Sequence, residues 1–216
     1  MLNKQKGNMY SWVTHTWNPI KGKCPHDCSY CYMKVYPRPE LHFDEKELKT
    51  NLGKGNFIFV GSSCDMWAND IPAMWIEDIL AYCSEFDNTY LFQSKNPARF
   101  NKMCFPFSTI LGTTIETNRP YPREIGKAPE PLLRYSIMAS WEGPENKMVS
   151  IEPIMDFDLD VMVRWIKDIE PELVSIGADS KGHNLPEPPA DKVRQLIEEL
   201  QKITEVKLKD NLKRLV

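Results

Sequence analysis

Phe57-Ile58-Phe59-Val60-Gly61-Ser62-Ser63-Cys64-Asp65 opens the stretch that decides the fold. A short run of aromatic and β-branched residues, the length of a buried strand, ends in glycine and small polar residues. Asn69–Asp70 then offers a cap and Pro72 suits a first helical turn. Ile71, Met74, Trp75, Ile79, Leu80 and Cys83 follow at helical spacing, and a second apolar run, Tyr90–Gln93, comes next. This is a strand, a helix and another strand.

The same alternation extends outward in both directions. Tyr10–Thr16, Thr109–Ile115, Met148–Ile151 and Leu173–Ile176 are further strand-length runs. Leu159, Met162, Val163, Ile166 and Ile169 repeat the helical pattern, as do Val193, Leu196, Ile197, Leu200 and Ile203. Strands alternating with helices predict an α/β fold with a parallel sheet of about six βα units. Periodicity alone does not say whether such a sheet closes into a barrel. In sheets of this kind, ligands bind beyond the carboxyl ends of the strands. The segments there are Lys21–Cys31, Gly61–Asp70, Gln93–Pro97, Glu116–Arg119, Glu152–Asp156 and Gly177–Asn184, all crowded with polar groups.

The 216 residues suit one domain, read as residues 1–216 with its core at about 10–210. Apolar residues at 42% and charged residues at 26% exclude a disordered or fibrous chain. No apolar run approaches the roughly 20 residues that span a bilayer, so no membrane partner is expected. Lys4 and Lys6 are followed by no apolar stretch, so the start does not read as a signal peptide. The expected location is therefore the reducing cytoplasm, where structural disulfides are rare. The net charge is −3, but residues 1–54 carry a net +4 and hold three of the six cysteines. That basic segment could meet an anionic substrate or form an ordinary solvated surface.

The sharpest signal is Lys23-Cys24-Pro25-His26-Asp27-Cys28-Ser29-Tyr30-Cys31-Tyr32. Three thiolates this close repel one another unless a cation holds them, and soft thiolates select zinc, copper(I) or iron–sulfur clusters. A four-iron cubane takes one thiolate per iron, so three cysteines leave one iron open to a substrate or cofactor. Zinc with His26 or His15 as fourth ligand, or three unliganded buried cysteines, are the other readings. Cys64, Cys83 and Cys104 lack ligand spacing. Cys83 falls on an apolar helix stripe, whereas Cys64 lies in a candidate ligand loop.

The CxxxCxxC spacing, with Tyr30 just before the third cysteine and a predicted strand before the loop, resembles the signature of the radical S-adenosylmethionine (SAM) superfamily. The resemblance implies that Cys24, Cys28 and Cys31 ligate a [4Fe–4S] cluster whose open iron binds the amino and carboxylate groups of SAM. One electron, supplied by a flavodoxin- or ferredoxin-type reductant, would cleave SAM to methionine and a 5′-deoxyadenosyl radical. Further segments narrow the likeness: Thr16-Trp17-Asn18-Pro19, Phe59 to Trp67, Gln93-Ser94-Lys95-Asn96-Pro97, Leu111 to Glu116, Val149 to Pro153, and Ile176 to Ser180. In this order, over residues 15–182 and with a last strand implied at Val206–Lys209, they resemble the phage Gp37/Gp68-like proteins (DUF5131), a radical-SAM-type family of undefined function. That family tends to carry Gly-Gly-Glu-Ser where this chain has Gly177-Ala178-Asp179-Ser180. The family implies a partial (β/α)6 TIM-type barrel, the radical SAM fold, open enough for a large substrate.

The needs of SAM then assign roles. Lys95 is the candidate cation for its carboxylate; a related radical SAM enzyme has a lysine in a similar sequence setting. Ser62, Ser63 and Asp65 are candidate acceptors for its ammonium. Thr114 and Glu116 suit the ribose hydroxyls, and Glu152 suits adenosine or substrate. Tyr30, Tyr32 and Trp67 would line the adenine or fill core. No residue is singled out as catalytic. The leading expectation is a radical SAM enzyme acting on a nucleic-acid base or another macromolecule, with a peptide substrate as runner-up. The alternatives are a zinc- or cluster-binding nucleic-acid-interaction module without turnover, and a cluster protein serving as a scaffold.

Overall fold

The computed structural model describes residues 1–216. Ten strands form in chain order: β1 (Asn3–Lys4), β2 (His15–Trp17), β3 (Ile20–Lys21), β4 (His42–Phe43), β5 (Phe57–Val60), β6 (Thr89–Ser94), β7 (Thr109–Thr114), β8 (Asn146–Ile151), β9 (Leu173–Ile176) and β10 (Glu205–Leu208). The α-helices are α1 (Ala73–Ser84), α2 (Pro122–Ile125), α3 (Pro131–Ala139), α4 (Leu159–Ile169) and α5 (Ala190–Gln201). Eight strands make one sheet in the order β1-β2-β5-β6-β7-β8-β9-β10, and β3 pairs with β4 separately. From β2 to β10 every pairing is parallel, and only β1 runs antiparallel, at the edge. The chain is thus an α/β protein with a mostly parallel central sheet.

The two sheet faces differ because successive side chains point to opposite sides. Ile58 and Val60, Tyr90 and Phe92, Val149 and Ile151, and Val174 and Ile176 join the main core of 36 buried residues with the apolar faces of α1, α4 and α5. Their neighbours Phe57, Phe59, Leu91, Ile110, Met148 and Leu173 pack on the other face, against Tyr10, Trp12 and Val13. No helix covers this inner face. The Tyr10 and Trp12 rings stack there, with centroids 4.7 Å apart, and close its lower half.

Several expectations change at this point. The first predicted strand, Tyr10–Thr16, forms only at its end, where β2 (His15–Trp17) begins, and Tyr10, Trp12 and Val13 pack instead on the sheet face opposite the main core. Asn69 does not cap α1: its side chain accepts from Asn96 at 2.9 Å, and Pro72 holds the cap position. Ile71 lies buried ahead of the helix, while Met74, expected on the apolar stripe, is 63% exposed. Ile203 falls beyond the end of α5. Between β6 and β7 the chain forms a 3-10 turn, Pro97–Phe100. The last strand forms as β10, and Cys83 is fully buried in the main core.

Candidate functional site

Five of the six polar segments read from the sequence, all but Glu116–Arg119, contribute residues to one cavity of about 1560 Å³. Alternation along the strands carries four of them into its wall: Phe59 on β5 and Gly61 just after it, Gln93 on β6 and Lys95 just after it, Thr114 on β7, and Ser150 on β8 and Glu152 just after it. Gly61 turns the chain there at φ 78°, a left-handed conformation suited to glycine. Tyr10 forms the floor. Its hydroxyl donates to Gln93 Oε1 at 2.8 Å and accepts from the Ser150 hydroxyl at 2.9 Å, and Gln93 Nε2 donates onward to Thr114 Oγ1 at 3.0 Å. Segments flanking the two sheet edges, 6–10 and 209–214, line the same cavity.

Cys24, Cys28 and Cys31 also line it. Their loop turns twice, with Asp27 N donating to the Cys24 carbonyl and Cys31 N to the Cys28 carbonyl. It is fastened from two sides. His26 Nε2 meets Asp65 Oδ2 at 2.9 Å, tying the loop to the end of β5. Ser29 N donates to the Glu124 carbonyl at 2.9 Å and Lys127 N to the His26 carbonyl at 2.7 Å. Gly126, at φ 65°, allows that approach, since a Cβ there would overlap the His26 carbonyl. Cys64 stands beside Cys24, and the hydrogen bond between their thiols favours the Cys24 thiolate while holding the Cys64 proton on. Burial pushes the Cys28 thiol up to about 11.

Of the expected cofactor contacts, Tyr30, Ser62, Ser63, Asp65, Lys95, Thr114 and Glu152 line the cavity. Glu116 stands behind its wall, fully buried. There it accepts from Arg134 Nη1 at 2.8 Å and 3.1 Å, from Lys95 Nζ at 2.6 Å, and from the Tyr30 hydroxyl. Burial raises the Glu116 carboxyl, but Arg134 and Lys95 outweigh it and bring it down to about 2. One carboxylate against two cations leaves a unit of positive charge, and Lys95 presents it at the cavity wall, above the Tyr30 ring at 5.1 Å.

Asp65 is spent on the protein. Besides His26, it accepts from Ser94 Oγ at 3.0 Å, Lys95 N at 2.8 Å and Trp67 N at 2.9 Å. Burial raises its carboxyl, and these donors, His26 first, bring it below its usual range. Ser62 Oγ donates to Asn18 Oδ1 at 3.1 Å, leaving its lone pairs free. Glu152 accepts from Asn8 at 3.2 Å and Lys209 at 2.7 Å. Asp179, the shorter acid of the sixth segment, pairs with His183 Nδ1 at 2.6 Å and shapes its own loop.

Sequence reading missed Tyr10, Gln93, Arg134, Asn8 and Lys209. Gln93 was legible, being two residues before Lys95 on one strand face. Arg134 shares its buried helix face with Met138, four residues on, and no local signal set it apart from a surface arginine. Asn8 and Lys209 carried no local signal, since the two ends of the sheet bring them together.

Solved structures with this architecture exist. The fold is similar to that of spore photoproduct lyase. A double mutant of that protein, with bound AdoMet and dinucleoside spore photoproduct, aligns at a TM-score of 0.59 and 10% identity over 92% of this chain and 64% of the other. A complex of the same lyase with dinucleoside spore photoproduct gives the same TM-score of 0.59, identity of 10% and coverages of 92% and 64%. A single-site mutant gives a TM-score of 0.60 and 10% identity over 94% and 65%. This chain therefore spans about 64% of the spore photoproduct lyase chain. No protein-family model matches the chain, and no curated protein matches it. No helix is long and apolar enough to cross a membrane.

Proposed function

We propose that this chain is a radical SAM enzyme, a single domain whose curved sheet forms a partial barrel, of the kind found in phage Gp37/Gp68-like proteins. The observation that carries the reading is the CxxxCxxC loop, fastened at the carboxyl-end mouth of a parallel sheet, on the same cavity as Lys95. The likeness to spore photoproduct lyase, solved with AdoMet bound, supports it.

The donor set fits a [4Fe–4S] cluster better than a single zinc ion. No three His, Cys, Asp or Glu side chains converge on one metal position, and His26 commits Nε2 to Asp65. A cluster takes its thiolates on separate irons, so convergence is not required. Held by Cys24, Cys28 and Cys31, such a cluster supplies one electron and an open iron for the reductive cleavage of SAM. The chain's own residues do the rest. Lys95 attracts the SAM carboxylate with the charge that Glu116 leaves uncompensated. Ser62 and Ser63 offer oxygens to the ammonium. Thr114 accepts from Gln93 and turns its own proton toward a ribose hydroxyl. Tyr30 walls the site, and Asp65 and Glu116 act as positioning groups. Glu152 faces the outer cavity, where substrate would lie.

The cavity exceeds the roughly 300–1,000 Å³ of an ordinary small-ligand pocket, which supports a site for SAM together with a second molecule. We favour a nucleic-acid base or its precursor. Lys6, Lys181 and Lys213 line the mouth, where phosphates would meet them. A cytoplasmic setting with a flavodoxin- or ferredoxin-type donor completes the reading.

Given dithionite and SAM without oxygen, the reconstituted protein is expected to release 5′-deoxyadenosine and methionine. No 5′-deoxyadenosine above a Cys28→Ala control, with full iron and bound SAM, returns the chain to a scaffold. Lys95→Ala should keep iron and weaken SAM binding ten- to a hundred-fold, about 1.5–3 kcal/mol for a lost charge-assisted contact. Calorimetry showing parental affinity would remove Lys95 from the site.

A further inference from the structure

The cavity holds a glutamine amide whose polar groups are only half spent on the protein. Gln93, half-buried on β6, lines the cavity. Its register partner on β7 is Gly112. A Cβ on Gly112 would come within 3.1 Å of Gln93 Cβ and Cγ, so glycine there leaves room for the Gln93 stem. Two hydroxyls then fix the amide. Oε1 accepts from the Tyr10 hydroxyl at 2.8 Å, and Nε2 donates to Thr114 Oγ1 at 3.0 Å. Tyr10 and Thr114 are each only 4% exposed, and Tyr10 is held in turn by Ser150 at 2.9 Å. A primary amide carries two N–H groups and two oxygen lone pairs. One of each is spent on this wall, which leaves one donor and one acceptor for whatever fills the cavity.

Geometry decides which partner suits such a group. The remaining donor and acceptor sit on neighbouring atoms of one small planar unit. A trans peptide bond sets its N–H and C=O on opposite sides, so a peptide backbone does not meet both at once. A nucleobase carries an N–H beside a carbonyl oxygen or ring nitrogen on its pairing edge, and glutamine amides bond bases in this two-point way. In a duplex that edge is taken by the complementary base, so a base read this way has to be unpaired.

We propose that Gln93 is the residue that reads the substrate, and that the substrate is an unpaired nucleobase held by its pairing edge. The inference rests on the radical SAM reading, in which Thr114 meets the SAM ribose. Gln93, bonded to Thr114, then stands next to the sugar that carries the reacting 5′ carbon. Tyr10 is a positioning residue, since it reaches the base only through Gln93.

The test reads binding by calorimetry on the reconstituted protein, with no reductant present, so that no turnover enters. The probes are the 5′-monophosphates of thymidine, deoxycytidine, deoxyadenosine and deoxyguanosine, each alone. At least one should bind. Its analogue methylated on the pairing edge should bind about ten-fold or more weakly, because the methyl group removes one hydrogen bond and obstructs the other. In Gln93→Met the unmodified nucleotide should lose about ten-fold, and the methyl group should then cost little more. Tyr10→Phe, which keeps the amide but frees it to turn, should weaken binding by less. If Gln93→Met does not fold, the methyl comparison in the parent still decides. No nucleotide bound, equal affinity for the methylated analogue, or a full methyl cost persisting in Gln93→Met each overturns the inference. So does binding of tetraglycine that Gln93→Met abolishes. Nucleotide binding with these effects, but no SAM cleavage under dithionite, removes the enzymatic reading and keeps this one. Cleavage without nucleotide binding does the reverse.

Discussion

Cys28→Ala, purified and reconstituted without oxygen, is expected to lose the brown absorbance and nearly all bound iron. Cys31→Ala should behave the same way. The reason is arithmetic at the ligand level: a cluster already short of one protein thiolate has none to spare. Cys24→Ala has a neighbour, since Cys64 lies against Cys24. Residual iron there should vanish in Cys24→Ala/Cys64→Ala. Cys83→Ala is the control, because Cys83 is fully buried in the main core, away from the cavity. Iron and acid-labile sulfide measured against protein settle the matter. Full retention in Cys28→Ala and Cys31→Ala would remove the cluster from this loop.

Glu116→Ala is expected to destabilise the protein by about 3–5 kcal/mol, the cost of leaving a buried cation uncompensated. Arg134 is fully buried and loses its only carboxylate, while Lys95 still reaches the cavity. Total stabilities run near 5–15 kcal/mol, so the change should be plain in a urea titration. Adding Arg134→Met should recover much of the loss; a double variant no better than the single would show that the ion pair is not the cause. The same group gives the fold an acid sensitivity. The Glu116 carboxyl sits near 2 in the folded chain against 4.5 in an unfolded one. Its contribution, roughly 3 kcal/mol, is therefore present above about pH 4.5 and fades as pH falls toward 2. Glu116→Gln/Arg134→Met should flatten that part of the stability profile.

The sheet was legible because buried parallel strands are short apolar runs. Phe57–Val60 and Leu173–Ile176 form with the bounds read from the sequence. Tyr10–Thr16 misled because its aromatic residues are apolar for another reason: they cover the sheet face opposite the main core. Period-two patterning sees an apolar side chain and does not see its partner. That the cysteine loop and Lys95 would share one cavity was legible from their places at strand ends. The work of Asp65 and Glu116 was not. Both read as ligand contacts, and both are satisfied by protein donors from distant segments, His26 for one and Arg134 for the other. A list of acids at strand ends does not tell an acid facing a ligand from one holding the wall behind it.

The alternation of faces along the strands separates two jobs that most folds entangle. On β6, Tyr90 and Phe92 belong to the main core, while Gln93 and Lys95 belong to the cavity. Selection can therefore rewrite what the cavity accepts at little cost to folding. A directed library confined to the part-exposed Ser62, Gln93 and Glu152 should yield mostly folded members, whereas one of equal size at Ile58, Phe92 and Val149 should yield mostly aggregates.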